Sequence, residues 1–194
     1  MRNVRKLKKI VEDKITKEIS PELSYHGLHH TLSVYEVCND YIRRMDIKPS
    51  DAFLLRTAAL THDIGILYTY NDHEEEGMRY VREKLPELGY SKKENTVCDL
   101  IAATRLPQNP KNTIEKIICD ADLDYIGTDA FYEIGDTLFQ EFLKLGVVTD
   151  EEDWDKLQIR FLEGHHYHTD FAKKHRAPVK EKFLNELKQK WGIN

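Results

Sequence analysis

The stretch Leu54-Leu55-Arg56-Thr57-Ala58-Ala59-Leu60-Thr61-His62-Asp63-Ile64-Gly65-Ile66-Leu67 decides the fold. Its apolar residues fall on most sides of a helical wheel over Ala52 to Ile64, the pattern of a central, buried helix. Ser50 after Pro49 reads as its N-cap, and Gly65 stops it. Arg56, His62 and Asp63 interrupt the run, which is well short of the roughly 20 apolar residues that span a bilayer. A membrane protein is therefore excluded as a reading.

The segments on either side carry the same helical period. Leu28 to Met45 steps His30, Val34, Val37, Tyr41 and Met45 at intervals of three and four, so His30 falls on an inward face. Before it, Asn3 to Glu18 sets Val4, Leu7, Ile10, Val11 and Ile15 on one stripe with lysines opposite, and Pro21 ends it. Downstream, helices are predicted over Glu74 to Leu85, before Pro86, and over Ser91 to Thr104, where Ser91 and Glu94 match a capping box. Thr113 to Tyr125 aligns Ile114, Ile117, Ile118, Ala121 and Tyr125, and further helices cover Asp129 to Leu145, Glu151 to about Lys174, and the segment from Pro178. No alternating strand pattern, linker, repeat or low-complexity stretch interrupts the series. The expectation is an all-α helical bundle forming one domain over residues 1–194.

Composition agrees. A chain of 194 residues, 40% hydrophobic and 32% charged, suits one globular domain with a real core. The net charge of -5 and dispersed Lys and Arg argue against a nucleic-acid surface. Met1 to Lys14 has no apolar signal region, and Cys38, Cys98 and Cys119 read as reduced core thiols, so a cytoplasmic location is expected. The glycines are isolated, which excludes a phosphate-cradling loop and ATP-driven chemistry.

An ionised carboxylate on so apolar a helix needs a partner or a metal, because burying it uncompensated costs several kcal/mol, on the order expected for unpaired buried ions. Alone, His62-Asp63 reads equally as a core histidine beside a helix-capping acid. The inward His30 adds a second imidazole, and Cys119-Asp120-Ala121-Asp122-Leu123 adds an acid. With the apolar stripe centred near Ala121, Asp122 falls about 80° from it and Asp120 about 120°, so Asp122 is the better inward candidate. Two imidazoles and two carboxylates make a mixed ligand set suited to octahedral Mn, Fe, Ni or Mg rather than a closed structural Zn site.

These residues, in this order and helical setting, resemble the HD superfamily of metal-dependent phosphohydrolases. Tyr25-His26-Gly27-Leu28-His29-His30-Thr31 is similar to the opening motif of a branch that includes cyclic nucleotide phosphodiesterases. His73-Glu74, Ile101-Ala102-Ala103-Thr104, Asp120-Ala121-Asp122-Leu123-Asp124-Tyr125-Ile126-Gly127, and Phe161-Leu162 followed by His165, Tyr167 and Thr169 resemble one bacterial branch. The resemblance covers roughly residues 20 to 190. It implies an HD-domain helical bundle in which His30, His62, Asp63 and Asp122 bind a divalent ion. It further implies that His26 protonates the leaving oxygen, so that His26 and Asp63 are the catalytic residues.

The expected reaction is cleavage of a phosphoester or phosphoanhydride of a small phosphorylated molecule, a nucleotide for preference, by metal-activated water. Some HD proteins use added histidines to hold a second metal; with one metal His73 is a candidate substrate contact, and Arg105 is another, through paired hydrogen bonds to phosphate. Glu74 is a candidate for orienting a ligand histidine. The rival expectation is a regulatory module that binds nucleotide or metal without turnover. The cluster His165, His166, His168 reads as one helix with only His165 and His168 on a shared face, so as core packing or a pocket edge. Trp154 and Trp191 read as core. A homo-oligomer is left open.

Overall fold

The computed structural model describes residues 2–89 and 93–193. Every described element is a helix: α1 (Arg2–Glu18), α2 (Leu28–Arg44), α3 (Pro49–Thr61), α4 (His73–Glu87), α5 (Glu94–Thr104), α6 (Thr113–Asp122), α7 (Phe131–Lys144), α8 (Glu151–Gly164), α9 (Asp170–His175) and α10 (Ala177–Trp191). Short 3-10 turns follow α3 at Ile64–Leu67 and α6 at Asp124–Gly127. The all-α expectation holds.

The helices gather into two units, one running to Pro21 and over His26–Asp122, the other comprising Glu22–Tyr25 and the chain from Leu123 onward. In the first unit α3 packs against α1, α2, α5 and α6, as its all-round apolar character demands. Leu54, Leu55, Ala58, Ala59 and Leu60 are buried there. The helix begins and ends three residues earlier than the periodicity predicts. Lys48, not Ser50, is its N-cap, because Pro49 occupies the first turn, where a missing N–H costs nothing. The helix stops at Thr61, so His62 and Asp63 lie in the bend between α3 and the 3-10 turn. α1 buries Val4, Leu7, Val11 and Ile15, whereas Met45, placed on the stripe of α2, caps that helix and is exposed. Pro86 falls inside the last turn of α4 instead of after it. Ser91 of the expected capping box lies outside the described residues; Glu94 accepts the backbone N–H of Lys93 at 2.8 Å.

Gly65 marks where the bend meets α4. A Cβ at this position would stand 1.9 Å from the His73 carbonyl oxygen and 2.5 Å from the Gly77 nitrogen, both backbone atoms that cannot swing aside. Only a glycine permits this approach.

In the second unit α10 packs against α8, α9 and the Asp124–Gly127 turn, and α7 packs against the same turn. Phe131 stacks on Phe183 with ring centroids 4.5 Å apart. Trp154 is buried against Phe139 and Phe142, and Trp191 donates to the buried Asp155 at 2.8 Å. Arg176 grips Asp124 with two hydrogen bonds of 2.7 and 3.1 Å. The long helix expected over Glu151 to Lys174 is broken. His165 turns extended, and Thr169 restarts the helix by accepting the Ala172 N–H at 3.2 Å. Residues 165–169 therefore follow a strand-like alternation, with His165, Tyr167 and Thr169 buried and His166 exposed. The buried Lys180 ammonium closes the break by donating to the Leu162 and His165 carbonyls at 2.7 and 2.6 Å, satisfying acceptors that a helix end leaves open. The three histidines thus form no cluster on one helix; His165 packs edge-on against Tyr167 at 4.7 Å.

These local geometries set two expectations for stability. Gly65→Ala forces the bend and α4 apart and is expected to cost on the order of 3 kcal/mol, the upper end for overpacking, read from urea midpoints; an unchanged midpoint contradicts the close approach. Both ring nitrogens of His165 are buried without a hydrogen-bond partner among the described residues, and burial together with the Lys180 charge pushes its pKa down to about 3. Between the ordinary value near 6.5 and about 3, the unfolded chain takes up a proton that the folded chain refuses, so stability falls on acidification, by at most about 1.4 kcal/mol per pH unit. His165→Phe is expected to flatten that fall without lowering stability at pH 7, because an apolar ring leaves no orphaned nitrogen. Urea melts at about pH 7 and 4.5 check this, and a variant that loses stability as steeply as the parent contradicts it.

Candidate metal centre

Three segments remote in sequence converge inside the first unit. His30 comes from the first turn of α2, His62 and Asp63 from the end of α3, and Asp122 from the last residue of α6. His30, His62 and Asp63 are buried, and the Asp122 side chain is 16% exposed. The neighbouring His29 is exposed, which assigns the inward role to His30 as the apolar stripe predicts. Asp120 is fully buried, more so than Asp122, so the helical-wheel angle ranked the two acids wrongly by depth. It is nevertheless Asp122 that meets the histidines.

The donor atoms touch. His30 Nε2 stands 3.1 Å from Asp122 Oδ1, 3.2 Å from Asp63 Oδ2 and 3.2 Å from His62 Nε2. His62 Nε2 stands 3.1 Å from Asp63 Oδ2 and 3.3 Å from Asp122 Oδ1. His30, His62 and Asp122 offer ligand atoms all within 4.8 Å of one another. His62 Nδ1 donates to the Ala59 carbonyl at 3.0 Å. That bond orients the ring and, in the neutral imidazole, leaves the Nε2 lone pair facing the cluster, an arrangement typical of metal-ligating histidines.

The electrostatics are compatible with a dication. Burial works against charge on His30, yet hydrogen bonds to Asp122 and Asp63 hold its pKa above the ordinary histidine value. His62 is held well above it against the same burial, chiefly by the Asp63 charge. Asp63, despite burial, is held well below the carboxylate range by His62 and His30, and Asp122 is held at about 2 by hydrogen bonds from His30 and His62. Two ionised carboxylates therefore sit among two imidazoles whose nitrogens face each other. Two protons or one divalent ion balance them equally, and an ion binds by displacing the protons. The donor set fits a divalent metal, with borderline nitrogens and hard oxygens in a mixture open to Mn, Fe, Ni or Mg.

Around this core lie the other residues marked by the sequence. The His26 ring is centred 6.2 Å from His30 and 5.7 Å from both Tyr70 and His73. His73 Nε2 approaches Asp63 Oδ1 at 3.3 Å, while its Nδ1 donates to the Tyr70 carbonyl at 3.1 Å. With acceptors on both sides, the His73 pKa rises to about 9 in spite of burial, chiefly through Asp63. Arg105 lies one step further out: it donates to Glu75 at 3.1 Å and stands 3.8 Å from Glu74, which in turn lies 3.8 Å from His73 Nε2. Sequence reasoning missed the Ala59 and Tyr70 carbonyls, since backbone acceptors carry no signal in residue type.

Comparison with known proteins agrees with this geometry. The family model described as HD domain matches residues 27–124, half of the chain. The crystal structure of a predicted HD superfamily hydrolase from an uncultured Thermotogales bacterium is similar over 96% of this chain and 90% of its own, with TM-score 0.61 and 25% identity. A Lactobacillus plantarum protein of known structure shares the fold over 96% of this chain and 97% of its own, with TM-score 0.66 and 15% identity. No curated protein matches the chain. The stretch matched by the family model runs from just before His30 to just past Asp122, and on that match the chain belongs to the HD domain family.

Proposed function

We propose that this protein is a metal-dependent phosphohydrolase acting on a small phosphorylated molecule, a nucleotide by preference, and cleaving a phosphoester or phosphoanhydride bond. The observation that supports this most strongly is the convergence of His30, His62, Asp63 and Asp122 through contacts of 3.1 to 3.3 Å. A divalent ion held by these four side chains supplies a Lewis acid for a phosphoryl oxygen and an activated water.

The remaining work belongs to the chain. The Ala59 carbonyl keeps the His62 ring turned so that Nε2 serves the cluster. Asp63 and Asp122 are kept ionised at neutral pH by the two imidazoles and would be the anionic ligands of the ion. His26, in the turn four residues before His30 and packed beside Tyr70 and His73, protonates the leaving oxygen as general acid. Arg105, held by Glu75, offers its guanidinium to phosphate oxygens. Three free, buried cysteines suit a reducing, cytoplasmic setting.

The test is a panel of nucleotides and phosphodiesters assayed with Mn, Mg, Ni or Fe. The intact protein is expected to turn over at least one of them, and Asp63→Ala to abolish the activity. His26→Ala is expected to lower kcat by roughly 10²- to 10⁴-fold on an alkyl ester, the range for general acid catalysis, and far less on a nitrophenyl ester whose leaving group needs no proton. Equal activity in Asp63→Ala, or a nucleotide that raises Tm and is recovered uncleaved, contradicts the hydrolase reading and favours a binding module.

A further inference from the structure

The side of the Arg105 guanidinium that a phosphate needs is already partly taken in the free protein. Arg105 is the C-cap of α5, and Glu74 and Glu75 stand in the first turn of α4, the helix packed against it. A bidentate grip on phosphate uses two parallel N–H groups, and Nε–H with the neighbouring Nη2–H forms one such pair. Nη2 donates to Glu75 Oε2 at 3.1 Å. Nε is buried and has no hydrogen-bond partner among the described residues; the Glu74 carboxylate, at 3.8 Å, is too far to accept from it. Glu74 also lies 3.8 Å from His73 Nε2, so this half-satisfied edge is the one on the metal-centre side.

Glu75 does not belong to Arg105 alone. Its other oxygen, Oε1, stands 3.9 Å from Nη1 of Arg82, two turns further along the same face of α4. The side chains of Glu75, Arg82 and Arg105 are 58%, 49% and 38% exposed. Ion pairs this wet are weak, because solvent screens them and two long side chains lose freedom in holding them. With a second guanidinium waiting, the carboxylate leaves the first at little cost. A phosphate arriving at the edge gains the unused Nε–H and, once Glu75 has moved to Arg82, the Nη2–H beside it.

We propose that Glu75 is a positioning residue for Arg105, a latch that closes the phosphate-binding edge in the free protein and transfers to Arg82 when phosphate binds. The inference rests on Arg105 as the phosphate contact of the proposed hydrolase and deepens that role. The latch lowers the affinity for every phosphate by one common factor, the fraction of molecules in which Arg105 is released. By closing again it favours the departure of a phosphate product.

The test measures the Kd of inorganic phosphate for the full chain by equilibrium dialysis, at constant ionic strength and with a chelator present, so that neither turnover nor a bound ion enters the readout. Arg105→Ala is expected to abolish binding. Glu75→Gln is expected to tighten it by up to about fivefold, the worth of an exposed ion pair expressed as affinity, whereas a merely structural role for Glu75 predicts a loss. Arg82→Ala is expected to loosen phosphate in the parent and to leave it nearly unchanged in the Glu75→Gln background, where no carboxylate remains for Arg82 to receive. Equal losses in both backgrounds mean that the two side chains act only through their charge, and overturn the latch. So does the absence of any gain in Glu75→Gln. Binding that survives Arg105→Ala, or that is missing from both the parent and Glu75→Gln, removes Arg105 from the phosphate site and takes this inference with it. The hydrolase reading stands or falls separately, on turnover by the parent with metal.

Discussion

Two carboxylates meeting two buried imidazoles is the interaction on which the first unit depends. Neither Asp63 nor Asp122 can stay ionised in an apolar interior without positive charge at contact distance. Each is placed within 3.3 Å of His30 Nε2 and His62 Nε2. Removing one member strands the others, because the lost charge was balancing two partners at once. The same arrangement that makes the folded chain sensitive to these residues makes it a receptor for a dication, since one divalent ion neutralises the carboxylates and relieves the opposition of the two ring nitrogens.

Much of the surrounding architecture serves to deliver those four side chains. α3, apolar on nearly all sides, occupies the middle of its unit and presents His62 and Asp63 where it ends. α2 and α6 pack on each other and on α3, bringing His30 and Asp122 to that end from opposite parts of the chain. Gly65 lets the bend lie against the first turn of α4, which sets His73 beside Asp63. The second unit is organised around its own polar anchors, the Arg176 and Asp124 pair and the buried Lys180 ammonium.

The legible parts of the molecule are those where residue type alone carries the physics. A stripe of apolar residues with a histidine in it placed His30 inward, and a His-Asp pair inside an apolar helix announced buried charge needing compensation. The parts that were not legible depend on backbone or on competing local preferences. The break after Gly164 is hidden because none of His165, Tyr167 and Thr169 is a strong helix breaker, and its stability comes from a lysine 15 residues later that donates to the His165 carbonyl. Asp120 outranks Asp122 in burial because the packing around α6 covers more than its apolar stripe. The Ala59 and Tyr70 carbonyls, which orient His62 and His73, belong to the backbone and leave no trace in composition.

The claim that most of this rests upon is that His30, His62, Asp63 and Asp122 share one divalent ion. Crystals grown with Mn and measured at the Mn absorption edge test it directly. The account predicts one strong anomalous peak within bonding distance of His30 Nε2, His62 Nε2, Asp63 Oδ2 and Asp122 Oδ1. An absent peak at full Mn occupancy elsewhere in the lattice, or an ion bound away from these four atoms, contradicts it.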